Sequence, residues 1–131
     1  MEFNTFHDFV IKTKIMKYDL EERLIKFGSS IIDLTEFLPE TKANTHLCGQ
    51  IIRSGTAPAL MYGEAQAAES RNDFIHKMKV ALKELRETLV NLKMIDLRNG
   101  RYSEKLQPII KENLELIAIF VTSIKTASTR N

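Results

Sequence analysis

Apolar side chains recur every three or four residues along four segments of the chain. That spacing places them on one face of an α-helix, so we predict helices over residues 19–38, 41–68, 72–95 and 103–126. The clearest face belongs to the third segment and comprises Phe74, Met78, Ala81, Leu82, Leu85, Leu89 and Leu92. Four amphipathic helices joined by short loops predict an all-α fold, an antiparallel up-down-up-down four-helix bundle.

The first and fourth segments have comparable apolar faces. The face of the first comprises Leu20, Leu24, Phe27, Ile31, Leu34 and Leu38. The face of the fourth comprises Leu106, Ile110, Leu114, Ile117, Phe120, Val121 and Ile124. We expect these residues to form the core together with the face of the third segment.

Capping and helix-breaking residues mark the predicted helices. Asp19 is a suitable N-cap, and Pro39 stops the first helix at the residue before it. Pro58 lies inside the second helix and cannot donate to the carbonyl of Ser54, so we predict a kink there. Gly55 allows a neighbouring element to approach this bend closely.

The beginning of the chain differs from the rest. We separate an N-terminal arm, residues 1–17, from a bundle at 18–127 and a C-terminal tail at 128–131. The arm carries apolar residues that suit docking on the bundle or on a neighbour, namely Phe3, Phe6, Phe9 and Val10. A frayed arm, or a start upstream of a natural one at Met16, fits this segment equally well.

Composition limits the class of protein. The 131 residues are 44% hydrophobic, enough for the core of one domain, and the single cysteine, Cys48, excludes an intrachain disulfide and a multi-cysteine zinc site. No apolar stretch reaches the roughly 18 residues of a membrane-spanning helix. The N-terminus also lacks the pattern of a secretory signal, so we expect a cytoplasmic protein without a membrane partner.

Catalytic and metal-binding patterns are weak. The three histidines, His7, His46 and His76, lie on different segments. The nearest match to the carboxylate-x-x-His spacing of di-iron bundles is Asp73 with His76, and the helical wheel turns both away from the core. Phosphate-loop and nucleophile-elbow motifs are missing. We therefore expect no enzyme, no metal and no cofactor.

Positive charge is concentrated in one part of the chain. Net charge is only +2, but residues 71–105 hold 9 basic and 5 acidic side chains, whereas 18–70 hold 4 basic and 8 acidic ones. Lys79, Lys83 and Arg86 form a ridge on the third helix opposite its core face. Such a ridge suits the phosphates of a nucleic acid. An ordinary solvated helix face explains it as well.

Further apolar residues lie outside the predicted core faces. They are Ile25 and Ile32 on the first helix and Ile109, Leu116 and Ile119 on the fourth. An exposed set of this size is unusual for a monomer, so we predict that these residues form a homo-oligomer interface. Scattered surface apolar residues are the alternative.

Four segments of the sequence carry a resemblance to a known family. They are 53–59 (RSGTAPA), 62–65 (YGEA), 68–74 (AESRNDF) and 83–87 (KELRE). Over about residues 19–125 the chain resembles the bacterial four-helix-bundle proteins encoded within 23S rRNA intervening sequences, which are labelled ribosomal proteins by name. The resemblance implies an up-down bundle, a homopentamer and no catalytic activity.

The resemblance extends to the accessory proteins of diversity-generating retroelements. It implies partners of two kinds, namely nucleic acid, bound through a basic surface, and a nucleic-acid enzyme. Combining this with the charge pattern, we hypothesise a non-enzymatic, homo-oligomeric scaffold or adaptor, pentameric by resemblance, that binds RNA or DNA. Arg53, Lys79, Lys83 and Arg86 would contact phosphates. The alternative is a protein-interaction module that binds no nucleic acid.

Overall fold

A computed structural model describes residues 17–129 as four helices. They are α1 (Lys17–Phe37), α2 (Lys42–Gln66), α3 (Arg71–Arg98) and α4 (Ser103–Thr129), with a short 3₁₀ turn (Gly100–Tyr102) before α4. Within this span there are no strands, so the predicted all-α fold is confirmed. Except for Lys17, where α1 begins, the predicted N-terminal arm lies outside the described residues.

The predicted helix ends lie within three residues of the observed ones. Thr41 caps α2 by accepting a 3.0 Å hydrogen bond from the backbone N–H of Asn44, and Ser70 caps α3 in the same way through Asp73 at 3.1 Å. At its C-terminal end α3 continues past the predicted end at residue 95. There the backbone N–H and side-chain amide of Asn99 both donate to the carbonyl of Ile95, which extends the helix to Arg98.

Helices adjacent in sequence pack side by side, as in an up-down bundle. The contact between α2 and α3 is the most extensive and that between α1 and α4 is the least. The α1–α2 and α3–α4 turns meet at one end, where the side-chain amides of Asn44 and Asn99 exchange two 3.0 Å hydrogen bonds. We call this the turn end of the bundle.

The core follows the predicted faces of α1 and α3. Leu24, Phe27, Ile31, Leu34 and Leu38 are buried on α1, as are Phe74, Met78, Ala81, Leu85 and Leu92 on α3. Leu82 packs against this core while half-buried. The sequence pattern therefore identified the inward side of both helices.

The predicted face of α4 is partly wrong. Leu114 and Val121, which we placed in the core, are 49% and 41% exposed, whereas Leu116, which we placed outside it, is fully buried. The buried side of α4 carries Leu106, Asn113, Leu116, Phe120 and Ala127. Because α4 is apolar around most of its circumference and carries a polar Asn113 in its buried seam, the apolar pattern pointed to a rotated face.

Glycine permits close packing of α1 on α2. A β-carbon on Gly55 would lie only 2.8 Å from Cγ1 of Ile31, which confirms the close approach predicted at this position. Helix α2 runs without interruption through Pro58. The bend predicted at Pro58 stays a prediction. Between α2 and α3, the buried hydroxyls of Ser54 and Thr88 are hydrogen-bonded to each other at 2.9 Å.

No helix within residues 17–129 combines the length and apolar character needed to cross a lipid bilayer.

Candidate nucleic-acid interface

A shallow depression of about 700 Å³ lies on the surface formed by α2 and α3. We call it the basic groove. It is lined by Gln50, Arg53, Lys79, Leu82, Lys83, Arg86, Glu87, Val90 and Asn91. All four basic residues predicted to contact phosphates therefore line one surface feature, although Arg53 belongs to a different helix from the other three.

The cations of α3 are arranged as a ridge along the groove. Lys79, Lys83 and Arg86 follow one another at intervals of one helical turn, and all three are exposed. With a rise of 1.5 Å per residue, Lys79 and Arg86 are about 10 Å apart along the helix axis. Phosphates follow one another about every 3.4 Å along one strand of a duplex, so the ridge matches about three of them.

Arg53 connects α2 to α3 through carboxylates. Its guanidinium lies 3.2 Å from an oxygen of Glu84 and 3.2 Å from an oxygen of Glu87. Hydrogen bonding to Glu87 and the charge of Glu84 raise the pKa of Arg53 above its ordinary value. Arg53 thus positions two carboxylates beside the groove, and its own charge is already compensated.

These two carboxyls differ in their affinity for a proton. Burial, followed by a hydrogen bond with Glu87, raises the pKa of Glu84 above its ordinary value. Conversely, hydrogen bonding with Glu84 lowers the pKa of Glu87. When the solution is acidified, Glu84 is therefore the first of the pair to lose its charge, and the groove becomes more positive.

The residues predicted as an oligomer interface fall into three groups. Ile25 and Ile32 are exposed on α1, whereas Ile109 and Ile119 are half-buried on α4. Leu116 is in the core, which corrects its assignment as an interface residue, because a side chain buried within the subunit has no surface to offer another copy. The exposed apolar residues that the sequence analysis missed include Ile52, Leu60, Met94 and Leu97 as well as Leu114 and Val121.

Groups suited to metal binding or catalysis are few in the described part of the chain. Between residues 17 and 129, no three His, Cys, Asp or Glu side chains lie together in a way that would hold a metal ion. Cys48 is half-buried, and burial raises the pKa of its thiol above the ordinary value. A higher pKa leaves less of the thiolate that acts as a nucleophile.

Comparison with known proteins identifies the family. The profile of the family described as 23S rRNA-intervening sequence protein matches residues 16–122, which include all four helices and the whole basic groove. The chain belongs to this family. The family resemblance found in the sequence is thereby confirmed, whereas the relation to retroelement accessory proteins stays a prediction.

A solved structure supports the family assignment. The chain is similar to a protein of unknown function from the S23 ribosomal protein family of Bacteroides thetaiotaomicron, with 30% identity and a TM-score of 0.75. The match covers 81% of this chain and 98% of that one. No curated protein matches the chain. This 23S rRNA-intervening sequence protein therefore shares its bundle with a relative whose function is likewise not stated.

Proposed function

We propose that the chain is a non-enzymatic, homo-oligomeric scaffold that binds RNA or DNA through the basic groove. The observation that carries this proposal is the convergence of Arg53, Lys79, Lys83 and Arg86 on one surface depression. Two nearby carboxylates, Glu84 and Glu87, compensate part of this charge and leave the cations in excess. Bound nucleic acid, or an enzyme that carries it, is the partner that such a surface suits.

The salt dependence of binding tests the use of the groove. If Lys79, Lys83 and Arg86 each contact one phosphate, log K should fall with log salt with a slope of about −2 for a single strand and about −3 for duplex DNA. The measurement is fluorescence anisotropy of a labelled oligonucleotide over a range of salt concentrations. A flat salt response would contradict the proposal.

Charge reversal identifies the residues involved. We expect the double variant Lys79→Glu/Lys83→Glu to lose most of the binding, because two phosphate contacts become repulsive. The double variant Lys111→Glu/Lys125→Glu changes the net charge equally, at exposed positions of α4 outside the groove. It should retain most of the affinity. Equal effects of the two double variants would show that net charge alone, and not the groove, attracts nucleic acid.

Self-association is the second part of the proposal. Ile25 and Ile32 on α1 and Leu114 and Val121 on α4 are large apolar side chains with at least two-fifths of their surface exposed, which favours burial against further copies. The number five rests on the family resemblance and corresponds to about 75 kDa for copies of 15.0 kDa. Light scattering should give that mass, and Ile25→Asp/Ile32→Asp should lower it. A monomeric wild-type protein would contradict this part.

The same exposed apolar residues favour a second candidate function, a protein-interaction module without nucleic acid. Association with a partner protein that survives nuclease treatment, and that Lys79→Glu/Lys83→Glu leaves intact, would favour this function over the first.

A further inference from the structure

Two aromatic rings meet at the surface of the turn end. Phe37 is the last residue of α1, and Tyr102 lies in the 3₁₀ turn before α4. Their ring centroids are 5.1 Å apart, with planes at 83°, so the edge of one ring points at the face of the other. Phe37 remains 47% exposed in this arrangement. A large part of an aromatic surface is therefore open to solvent.

Two cations accompany the rings. Nζ of Lys105 lies 4.4 Å from the centroid of Phe37, and Cζ of Arg101 lies 5.5 Å from the centroid of Tyr102. Both distances are within the range of cation–π attraction. Both cations are on exposed, flexible side chains, so they can leave the rings for a stronger anionic partner. We call these four residues the ring cluster.

We propose that the ring cluster is a stacking site for an unpaired nucleobase. Single-stranded nucleic acids are held by aromatic faces on which bases stack and by neighbouring cations that contact the backbone, and the ring cluster supplies both. A base would stack on Phe37 while Lys105 or Arg101 moves to a phosphate. Bases in a duplex are already stacked on one another, so this site selects single strands. The inference rests on the proposed function and names the form of nucleic acid bound.

Charge distinguishes this site from the basic groove. Glu36 and Glu104 directly adjoin Phe37 and Lys105 in the sequence and are exposed, so the local charge around the rings is nearly balanced. Stacking, unlike phosphate contact, releases no counterions. Loss of the rings should therefore weaken binding by the same factor at every salt concentration, whereas loss of groove cations should also flatten the salt slope.

Affinity measurements test the site directly. Phe37→Leu keeps an apolar side chain but removes the ring, and we expect it to weaken binding of a short single-stranded RNA by about 5-fold to about 150-fold, the range for loss of one base stack. Binding of a duplex of the same sequence should not change. Leu60→Ala is the control, because it shortens an exposed apolar side chain near the other end of α2.

Fluorescence gives a second readout that does not depend on total affinity. The chain contains no tryptophan, so Phe37→Trp introduces a single emitter at the proposed site. We expect single-stranded RNA to quench its emission by stacking, and the same RNA to leave the emission of Leu60→Trp unchanged. Both variants must bind the RNA as the wild type does.

The outcomes separate the two proposals. Unchanged single-strand affinity in Phe37→Leu, no quenching in Phe37→Trp, or a wild-type protein that binds duplex as tightly as single strands would overturn the stacking site and leave the groove proposal standing. A wild-type protein that binds neither form would overturn both. Weaker single-strand binding with an unchanged salt slope would support the stacking site.

Discussion

Replacing Gly55 by alanine should force α1 and α2 apart. The added β-carbon would lie 2.8 Å from Cγ1 and 3.0 Å from Cγ2 of Ile31, distances too short for carbon atoms. Ile31 is fully buried, and its branched β-carbon restricts it to one favoured rotamer in a helix, so it cannot rotate away. Overpacking of this kind costs about 1–3 kcal/mol in the free energy of unfolding.

The same substitution elsewhere in α2 is a matched control. A β-carbon on Gly49 would meet no atom within 4 Å. At such a position alanine stabilises a helix by about 1 kcal/mol relative to glycine. Because this gain in helix propensity also applies at Gly55, we expect a net loss of about 0–2 kcal/mol for Gly55→Ala. The two variants should differ by about 1–3 kcal/mol.

Urea unfolding followed by circular dichroism measures this difference, with all variants at one protein concentration because oligomer stability depends on it. The unfolding midpoint should fall in Gly55→Ala and rise in Gly49→Ala. Gly28→Ala should lie between them, since its β-carbon would meet α2 at ordinary contact distances of 3.5–3.7 Å. Equal stabilisation by Gly55→Ala and Gly49→Ala would refute the close packing described for Gly55.

Three further predictions address the core and the groove. Leu116→Ala should lower the free energy of unfolding by about 2–5 kcal/mol, and Leu114→Ala by much less, because only Leu116 is buried; comparable losses in urea unfolding would contradict the observed orientation of α4. The hydroxyl of Tyr62 is buried without a hydrogen-bond partner in the described structure, so Tyr62→Phe should raise the unfolding free energy by about 1–3 kcal/mol, and a loss of stability would reveal an unseen partner. Affinity for single-stranded RNA should increase as the pH falls from neutrality toward the ordinary carboxyl value of 4.5, because Glu84, whose pKa is raised, takes up a proton there. In Glu84→Gln this increase should be smaller, and an identical pH profile would assign it to another group.

The sequence predicted the helices well because their ends carry strong local signals. Thr41 and Ser70 cap the backbone N–H groups of their own helices, and Pro39 cannot continue one. The inward faces of α1 and α3 were also predictable, since each has a polar side that contrasts with an apolar one. Helix α4 lacks this contrast, and its buried Asn113 has no hydrogen-bond partner for either amide atom within the described residues. No pattern in the sequence marks such a residue as part of the core.

The candidate site was predictable only in part. The ridge of Lys79, Lys83 and Arg86 follows from helical spacing alone. The ion pairs between Arg53 and the carboxylates of α3 depend on the register between two helices, which local sequence does not determine. The ring cluster was missed for the same reason, because Phe37 and Tyr102 come from opposite ends of the sequence and become neighbours only when the two turns meet.

The limited contact between α1 and α4 has a consequence for motion. Apart from the ion pairs of Arg23 with Glu112 and Glu115, at 2.6 and 3.1 Å, little in the described structure ties these two helices together. Local opening of a folded chain begins where the fewest contacts must be broken. In native-state hydrogen exchange, the amides of α1 and α4 should therefore take up deuterium before those of α2 and α3, whose shared surface would be the last part of the bundle to come open.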